Sequence, residues 1–448
     1  MRVTQYSTDC SHHLRTYSLQ PAVKMSGALK VKVAREALEN HFLGFGVAIT
    51  GSSCYELNTM TPNAREAFLK SVYSQDGLGL SVGRLSIGAS DYSAELYSYD
   101  DVENDVELKY FSIERDKAYI IPMIKEILKI NPELVLFASP WSPPGWMKTG
   151  NSMCGGYMRN EYIECYAEYI ISFLKEYEKC GIKIAALTPQ NEPETQQNGQ
   201  MPACIWHPDT EAAFISVLRK KLNENHMDVK IWMYDHNFIG AERVLWSLNT
   251  HENLSRDCDG VAFHYYSGAI EDTQMIRENY PQLELHFTEG GPRLYDNYDT
   301  DWCKWSMMMA KTLNNGYSSF TGWNLMLDEK GGPNIGPFFC GGLVTLDSQT
   351  KELKYSGQYK AFDHISHFMK KGTKIYQTTV EGNNKHMFKY PNMGMAVEAC
   401  GFENPDSEFV LVLVNPDKVK KQVQYLKNDT WWYIELMPDS VSTVVFED

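Results

Sequence analysis

The sequence predicts an α/β protein: a (β/α)8 TIM barrel with an accessory β-sandwich domain formed by both chain termini. Three observations carry this expectation. Eight short apolar runs alternate with longer stretches of helical period through the middle of the 448-residue chain. Beyond residue 370 the pattern changes to closely spaced short strands separated by turn residues. A strand-like run at 29–33 precedes the first barrel candidate.

Taken in order, the barrel strand candidates centre on 45–49, 80–86, 134–138, 184–187, 230–233, 260–264, 284–288 and 319–323. Amphipathic segments lie between them at 118–130, 161–177, 210–223, 241–248, 301–313 and 359–368. The clearest is 161–177, where Ile163, Tyr166, Ala167, Ile170, Phe173, Leu174 and Tyr177 form one stripe. Eight β/α units over ~320 residues suit a closed barrel with long loops. An open doubly wound sheet is the alternative, but no G-x-G-x-x-G follows the first strand. In the C-terminal part, strand candidates at 386–390, 395–400, 409–415, 421–426, 431–436 and 441–446 have turns such as Asn-Pro-Asp and Met-Pro-Asp between them. The expected domains are therefore 1–40 and 369–448 for the sandwich, with 41–368 as the barrel.

Bulk properties exclude some partners. The formal net charge of -15 argues against nucleic acid and against an acidic membrane surface. No run of 18 apolar residues exists, so no integral membrane segment is expected. The N-terminus lacks the apolar run of a secretory signal, and a cytoplasmic protein is expected. The ten cysteines, scattered from Cys10 to Cys400, form no C-x-x-C pair and read as mostly buried reduced thiols. No H-E-x-x-H or carboxylate cluster argues for a metal, and no cofactor is expected. Oligomeric state is left open.

In such a barrel, function collects at the C-terminal ends of the strands. The fourth strand ends in Thr-Pro-Gln-Asn-Glu-Pro, with Glu192, and the seventh in His-Phe-Thr-Glu-Gly-Gly, with Glu289. Strands four and seven lie on opposite sides of an eight-stranded ring, so these carboxylates can face each other across its mouth. Glycosidic hydrolysis needs two such groups, one protonated to help the leaving oxygen depart and one ionised to attack or support the oxocarbenium-like centre. The bland alternative for each is a solvated charge at a strand end. Pro193 and the Gly290-Gly291 pair frame the two positions tightly and count against it. Glu194 is a second candidate at the first position, further out and with no Asn before it.

At this point the chain resembles the 4/7 superfamily of glycosidases and, more narrowly, the glucosylceramidase-like group of glycoside hydrolase family 30. The motifs that carry the match are GFGVAIT (44–50), GRLSIGASDYS (83–93), ASPWSPPGWMK (138–148), LTPQNEPE (187–194), FHYY (263–266), HFTEGG (286–291) and GWNLMLDEKGGPN (322–334). They cover the whole barrel in order. The resemblance implies Glu192 as acid/base, Glu289 as nucleophile and Asn191 on the sugar 2-hydroxyl. It further implies Arg84 and Tyr266 beside Glu289, Asp91 on outer glycone hydroxyls, and Trp141 and Trp323 lining the sugar pocket. His264 and His286 flank the two key positions as supporting or plain core histidines. The implied activity is a retaining, exo-acting, β-glucosidase-like hydrolase of a β-linked glycoside or oligosaccharide. β-1,6-Glucanase, β-xylosidase and β-fucosidase are the alternatives within the family, and a non-catalytic carbohydrate-binding barrel the alternative outside it. Three departures bear on the aglycone: Tyr265 where the glucosylceramidase type carries Trp, a polar loop at 195–206, and a different segment at 336–340. They make an oligosaccharide or small glycoside at least as suitable as a lipid.

Overall fold

In the computed structural model, which describes residues 1–39, 41–383 and 396–447, eight parallel strands close into a barrel. They are Gly44–Ala48, Val82–Ile87, Val135–Pro140, Ala186–Leu187, Lys230–Asn237, Gly260–His264, Glu284–Glu289 and Ser319–Gly322. The eighth pairs with the first, Phe320 opposite Phe45, so no edge is left. All eight coincide with the apolar runs of the sequence. The fifth continues four residues past its expected end, to Asn237.

Alternation along the strands sorts their side chains into layers. Val82, Phe137, Ala186, Trp232 and Ala262 form one apolar cluster inside the barrel, and His286 stacks on Trp232 with ring centroids 3.6 Å apart. Two residues further along each strand the inward positions become Arg84, Ser139, Thr188, His264 and Thr288, a buried polar layer. The fifth strand would place Tyr234 there. It does not, because an extra residue enters between the pairs Tyr234–Ala262 and His236–Phe263. This β-bulge, with φ of 77° at Tyr234 and 56° at Asp235, turns Asp235 inward instead.

Helices cover the barrel as their apolar stripes require. Ile163–Lys179 buries Tyr166, Ala167, Tyr169, Ile170, Ile171, Phe173, Leu174 and Tyr177. Two helices absent from the expectation follow the first strand, Gly51–Thr59 and Pro62–Tyr73. Their start signals are present: Thr50 and Thr61 accept from the backbone N–H three residues on, and Pro62 opens the second helix. The weak apolar stripe of Gly-Ser-Ser-Cys-Tyr-Glu-Leu-Asn-Thr conceals the first.

Both termini build the sandwich. Its six-stranded sheet runs Lys374–Tyr376, Glu398–Glu403, Phe409–Asn415, Ser440–Glu447, Arg2–Thr8 and Arg15–Ser18. Its five-stranded sheet runs Thr378–Glu381, Leu29–Val33, Lys421–Lys427, Thr430–Leu436 and Pro21–Ala22. The strand expected at 386–390 lies outside the described residues, as does the first residue of the 395–400 candidate. Arg2–Thr8 was not read as a strand, yet it pairs along its length with Ser440–Glu447. Phe409–Asn415 is buried throughout. Leu411 and Leu413 face the sandwich interior, whereas Val410, Val412 and Val414 join the barrel's core. A strand covered on both faces reads as a continuous apolar run, as this one does.

Two long loops need anchors to carry function. Residues 88–113, after the second strand, contain no regular element. The hydroxyls of Tyr97, Tyr99 and Tyr177 all donate to the buried Asp116 carboxylate at 2.6 Å, which pins this loop to the helix Ile163–Lys179. After the third strand, Lys148 is wholly buried, and its Nζ donates to Ser142 Oγ, Met153 O and Ala203 O. Burial lowers its pKa to about 8. Three acceptors satisfy three N–H bonds, so one side chain ties the loop bearing Trp141 to the loop after the fourth strand. Among the described residues, no helix is long and apolar enough to cross a membrane. None of the ten cysteines is in a disulfide. Five are buried, four half-buried and Cys10 exposed, fewer buried than expected.

Candidate active site

The C-terminal mouth of the barrel holds a cavity of about 300 Å³. Asp91, Trp141, Asn191, Glu192, Tyr266, Glu289 and Trp323 all line it. Seven positions scattered over more than two hundred residues of sequence therefore converge, as the strand-end rule requires.

Glu192 reaches the mouth through a strained backbone. It has φ of 47°, although a residue before proline disfavours compact conformations. Such a placement costs roughly 1–3 kcal/mol and persists only when its surroundings hold it. Here the Asn191 N–H donates to Pro140 O at 2.8 Å and the Glu192 N–H to Asp235 O at 3.0 Å. Glu289 ends the seventh strand opposite His264, after a register shift in which the pairs Phe263–Phe287 and His264–Glu289 leave Thr288 as the extra residue.

The polar layer beneath is one connected network. Arg84 Nη1 donates to Glu289 Oε2, and its Nη2 to Asn191 Oδ1 and Asp235 Oδ2, each at 2.8 Å. The guanidinium lies 4.7 Å from the Trp141 ring and 5.6 Å from that of Trp323, and the two indoles stack 5.2 Å apart. The Tyr266 hydroxyl donates to Glu289 Oε1 at 2.8 Å. Both Glu289 oxygens are thus oriented by donors, one from the second strand and one from the loop after the sixth. Asp235 accepts from Ser139, Thr188 and Thr288 hydroxyls at 2.7–2.9 Å and faces His264 Nε2 at 3.1 Å.

Charges follow from these contacts. Burial would raise the Asp235 carboxyl, but Arg84 and His264 hold it far below the usual carboxylate range. Burial would lower His264, yet Glu289, Asp235 and Glu192 raise it to about 9. Burial likewise opposes ionisation of Glu192, and its contacts with His264, His236 and Gln197 outweigh it, so its pKa is lowered. His264 Nδ1 lies 3.2 Å from Glu192 Oε1. Both shifts favour a positively charged ring facing an ionised carboxylate. Asp91 is the opposite case. It is buried without a donor on Oδ1, and burial plus the charges of Glu289 and Glu192 push its pKa well up.

One atom each of Glu192, His264 and Glu289 lie within 4.8 Å of one another, a grouping suitable in kind for a metal. Arg84 on Glu289 and Asp235 on His264 already supply the counter-charges.

Two positions move away from the site. His286 does not flank it: the ring lies in the apolar layer below, bonded to Ser319 Oγ at 2.9 Å and Glu284 Oε2 at 3.3 Å. Glu194 points outward, bonded to the Tyr234 hydroxyl at 2.6 Å, and His236 together with Arg243 lowers its pKa to about 2. Asp235, His236, Gln197 and Arg293 belong to the site or its support and were not foreseen. Only Asp235 left a trace, as an acid inside the run Trp-Met-Tyr-Asp-His-Asn.

Residues 42–370 match the glycosyl hydrolase family 30 TIM-barrel domain. The chain belongs to this family. The lysosomal acid glucosylceramidase of Mus musculus is 26% identical over 394 residues, covering 83% of this chain and 74% of the relative. An endo-1,6-β-D-glucanase of Neurospora crassa is 29% identical over 350 residues, 75% of this chain and 72% of the relative. The crystal structure of SrfJ from Salmonella typhimurium superposes with a TM-score of 0.89 at 28% identity over 100% of both chains. This family 30 chain is accordingly a glycoside hydrolase.

Removing the acid at the centre of the network has a defined expected cost. Asp235→Ala leaves Arg84 with one carboxylate and removes the acceptor that Ser139, Thr188, Thr288 and His264 share. Stability is expected to fall by about 3–5 kcal/mol, read as a lower urea midpoint, together with hydrolysis. A wild-type midpoint shows that the network does not hold the barrel.

Proposed function

We propose that this chain is a retaining, exo-acting, β-glucosidase-like hydrolase in which Glu289 is the nucleophile and Glu192 the acid/base. The observation that carries it is the carboxylate separation: an oxygen of Glu192 and one of Glu289 lie within 4.8 Å. Retaining sites need roughly 5–5.5 Å, whereas inverting sites open to about 6.5–9.5 Å to admit a water. Glu289 attacks the anomeric carbon as Glu192 delivers its proton to the departing oxygen. Glu192 then takes a proton from the water that cleaves the glycosyl-Glu289 bond. Arg84 and Tyr266, each bonded to one of its oxygens, aim Glu289. Asn191, oriented by Arg84, takes the 2-hydroxyl. Asp91, Trp141 and Trp323 are only 2–4% exposed and close the inner end of the cavity, which supports the exo reading. The bare Asp91 oxygen calls for a sugar hydroxyl.

The rim favours a second, narrower reading, β-1,6-glucanase action on a sugar aglycone. Thr195, Gln197, His236 and Asn237 line it with polar groups that a wholly apolar lipid leaves unsatisfied, while Tyr295, Phe338 and Phe339 are exposed aromatics whose faces can stack on a sugar ring.

Hydrolysis of aryl β-glycosides, β-1,6-glucan and glucosylceramide, with the product anomer followed by NMR, tests these readings. The β-anomer is expected first. An α-anomer as first product rules out double displacement, and oligosaccharide products from glucan rule out exo action.

A further inference from the structure

Both oxygens of Glu192 already have partners, and only one of those partners can leave. Oε1 lies 3.2 Å from His264 Nδ1 and 3.9 Å from His236 Nε2. His264 is fully buried and tied to Asp235 on its other nitrogen, so this partner belongs to the barrel wall. Oε2 accepts from Gln197 Nε2 at 3.0 Å. Gln197 is half-buried on the short 3-10 turn Gln197–Gly199, where Gln197 and Asn198 have φ of 48° and 51°. Left-handed backbone is unfavourable for a non-glycine residue such as Gln197 and persists only when its surroundings hold it.

A general acid must come within hydrogen-bond reach of the oxygen it protonates. With Oε1 occupied from the barrel side, the glycosidic oxygen needs Oε2, the place where the Gln197 amide sits. An N–H donor at that oxygen also favours the ionised carboxylate, the wrong state for an acid. We propose that Gln197 is a positioning residue that latches Glu192 in a resting, ionised form, and that the leaving-group half of the substrate releases the latch by displacing the amide from Oε2. This rests on the acid/base reading of Glu192 given above.

Release has a consequence for specificity. The displaced amide, like the unbonded Asn237 Oδ1 beside it, needs a hydrogen-bond partner, which a hydroxyl-bearing aglycone supplies and an aliphatic one does not. The latch therefore selects sugar-like leaving groups. Once the amide has left Oε2, Glu192 takes up a proton from solvent. The C1–O bond to the aglycone breaks as C1 bonds to Glu289, with the Glu192 proton passing to the aglycone oxygen. The C1–Glu289 bond then breaks as the oxygen of water bonds to C1, and the water's proton passes to Glu192, which releases it to solvent when the latch re-forms.

Other titratable groups also face Glu192. They are His264, His236, Glu289 and Asp91, with the Glu194–Arg243 pair behind His236. None of them changes in Gln197→Met, which keeps the side-chain length and removes the donor. A hydrogen bond to a charged group is worth roughly 1.5–3 kcal/mol, and about 1.4 kcal/mol corresponds to one pH unit. The basic limb of kcat/KM for Gln197→Met is therefore expected to move to higher pH by about one pH unit. KM for a β-linked disaccharide should fall several-fold, because nothing remains to be displaced. Gln197→Ser, read in the same way, serves if the Met variant does not fold in a thermal melt. Wild type inactive on every β-glycoside overturns the acid/base reading itself. Active wild type with an unmoved limb and unchanged KM in the variants overturns the latch alone, as does a uniform loss of rate without a pH shift.

Discussion

Glu289→Gln is expected to reduce hydrolysis by about 10⁴-fold or more while the protein remains folded. The amide cannot form the glycosyl ester, so the first chemical step has no nucleophile. The fold is expected to survive because Arg84 retains Asp235 as its counter-charge at 2.8 Å. The Gln oxygen can still accept from either Arg84 or Tyr266. Steady-state hydrolysis of an aryl β-glucoside and a thermal melt check both halves. Undiminished turnover removes Glu289 from the mechanism. Lost turnover with a collapsed melting transition shows instead that its pairing with Arg84 is structural.

Glu192→Ala is the second large effect, and its pattern matters more than its size. Substrates with poor leaving groups, such as disaccharides, need the proton and are expected to slow by about 10²–10⁴-fold. A dinitrophenyl glycoside needs none, so its first step should persist and give a burst. The second step then stalls, since no base activates water. Azide needs no base and fits the vacated space, so it should accelerate this step and yield a β-glycosyl azide. Equal losses on all substrates, with neither burst nor rescue, rule out the acid/base role.

Much of this protein was legible because a closed barrel repeats a simple code. The strand runs are apolar since both faces are covered, and function sits where each run ends. Glu192 and Glu289 could be singled out by that rule alone, with Pro193 and Gly290-Gly291 marking the turns. Elements whose signal is carried by partners were not legible. Arg2–Thr8 lacks an apolar run and is a strand because Ser440–Glu447, far away in the chain, lies beside it. Gly51–Thr59 is a helix because its buried serines and Thr50 find hydrogen bonds across the barrel top. His286, three residues from Glu289, reads from the sequence as a satisfied core histidine more readily than as a site neighbour, and it lies in the barrel core. On a strand, that separation is roughly 10 Å of rise, enough to carry it down a layer.

By itself, the sequence determined the barrel, the ends of its strands and the pair of acids placed there, because periodicity and strand order are one-dimensional properties. Tertiary structure alone decided that Asp235 rather than Tyr234 faces inward, since one bulged residue reverses every side of a strand that alternates. It also decided which charges share the mouth and which amide covers Glu192. Electrostatic energy depends on distance through space, and chain separation carries no information about it.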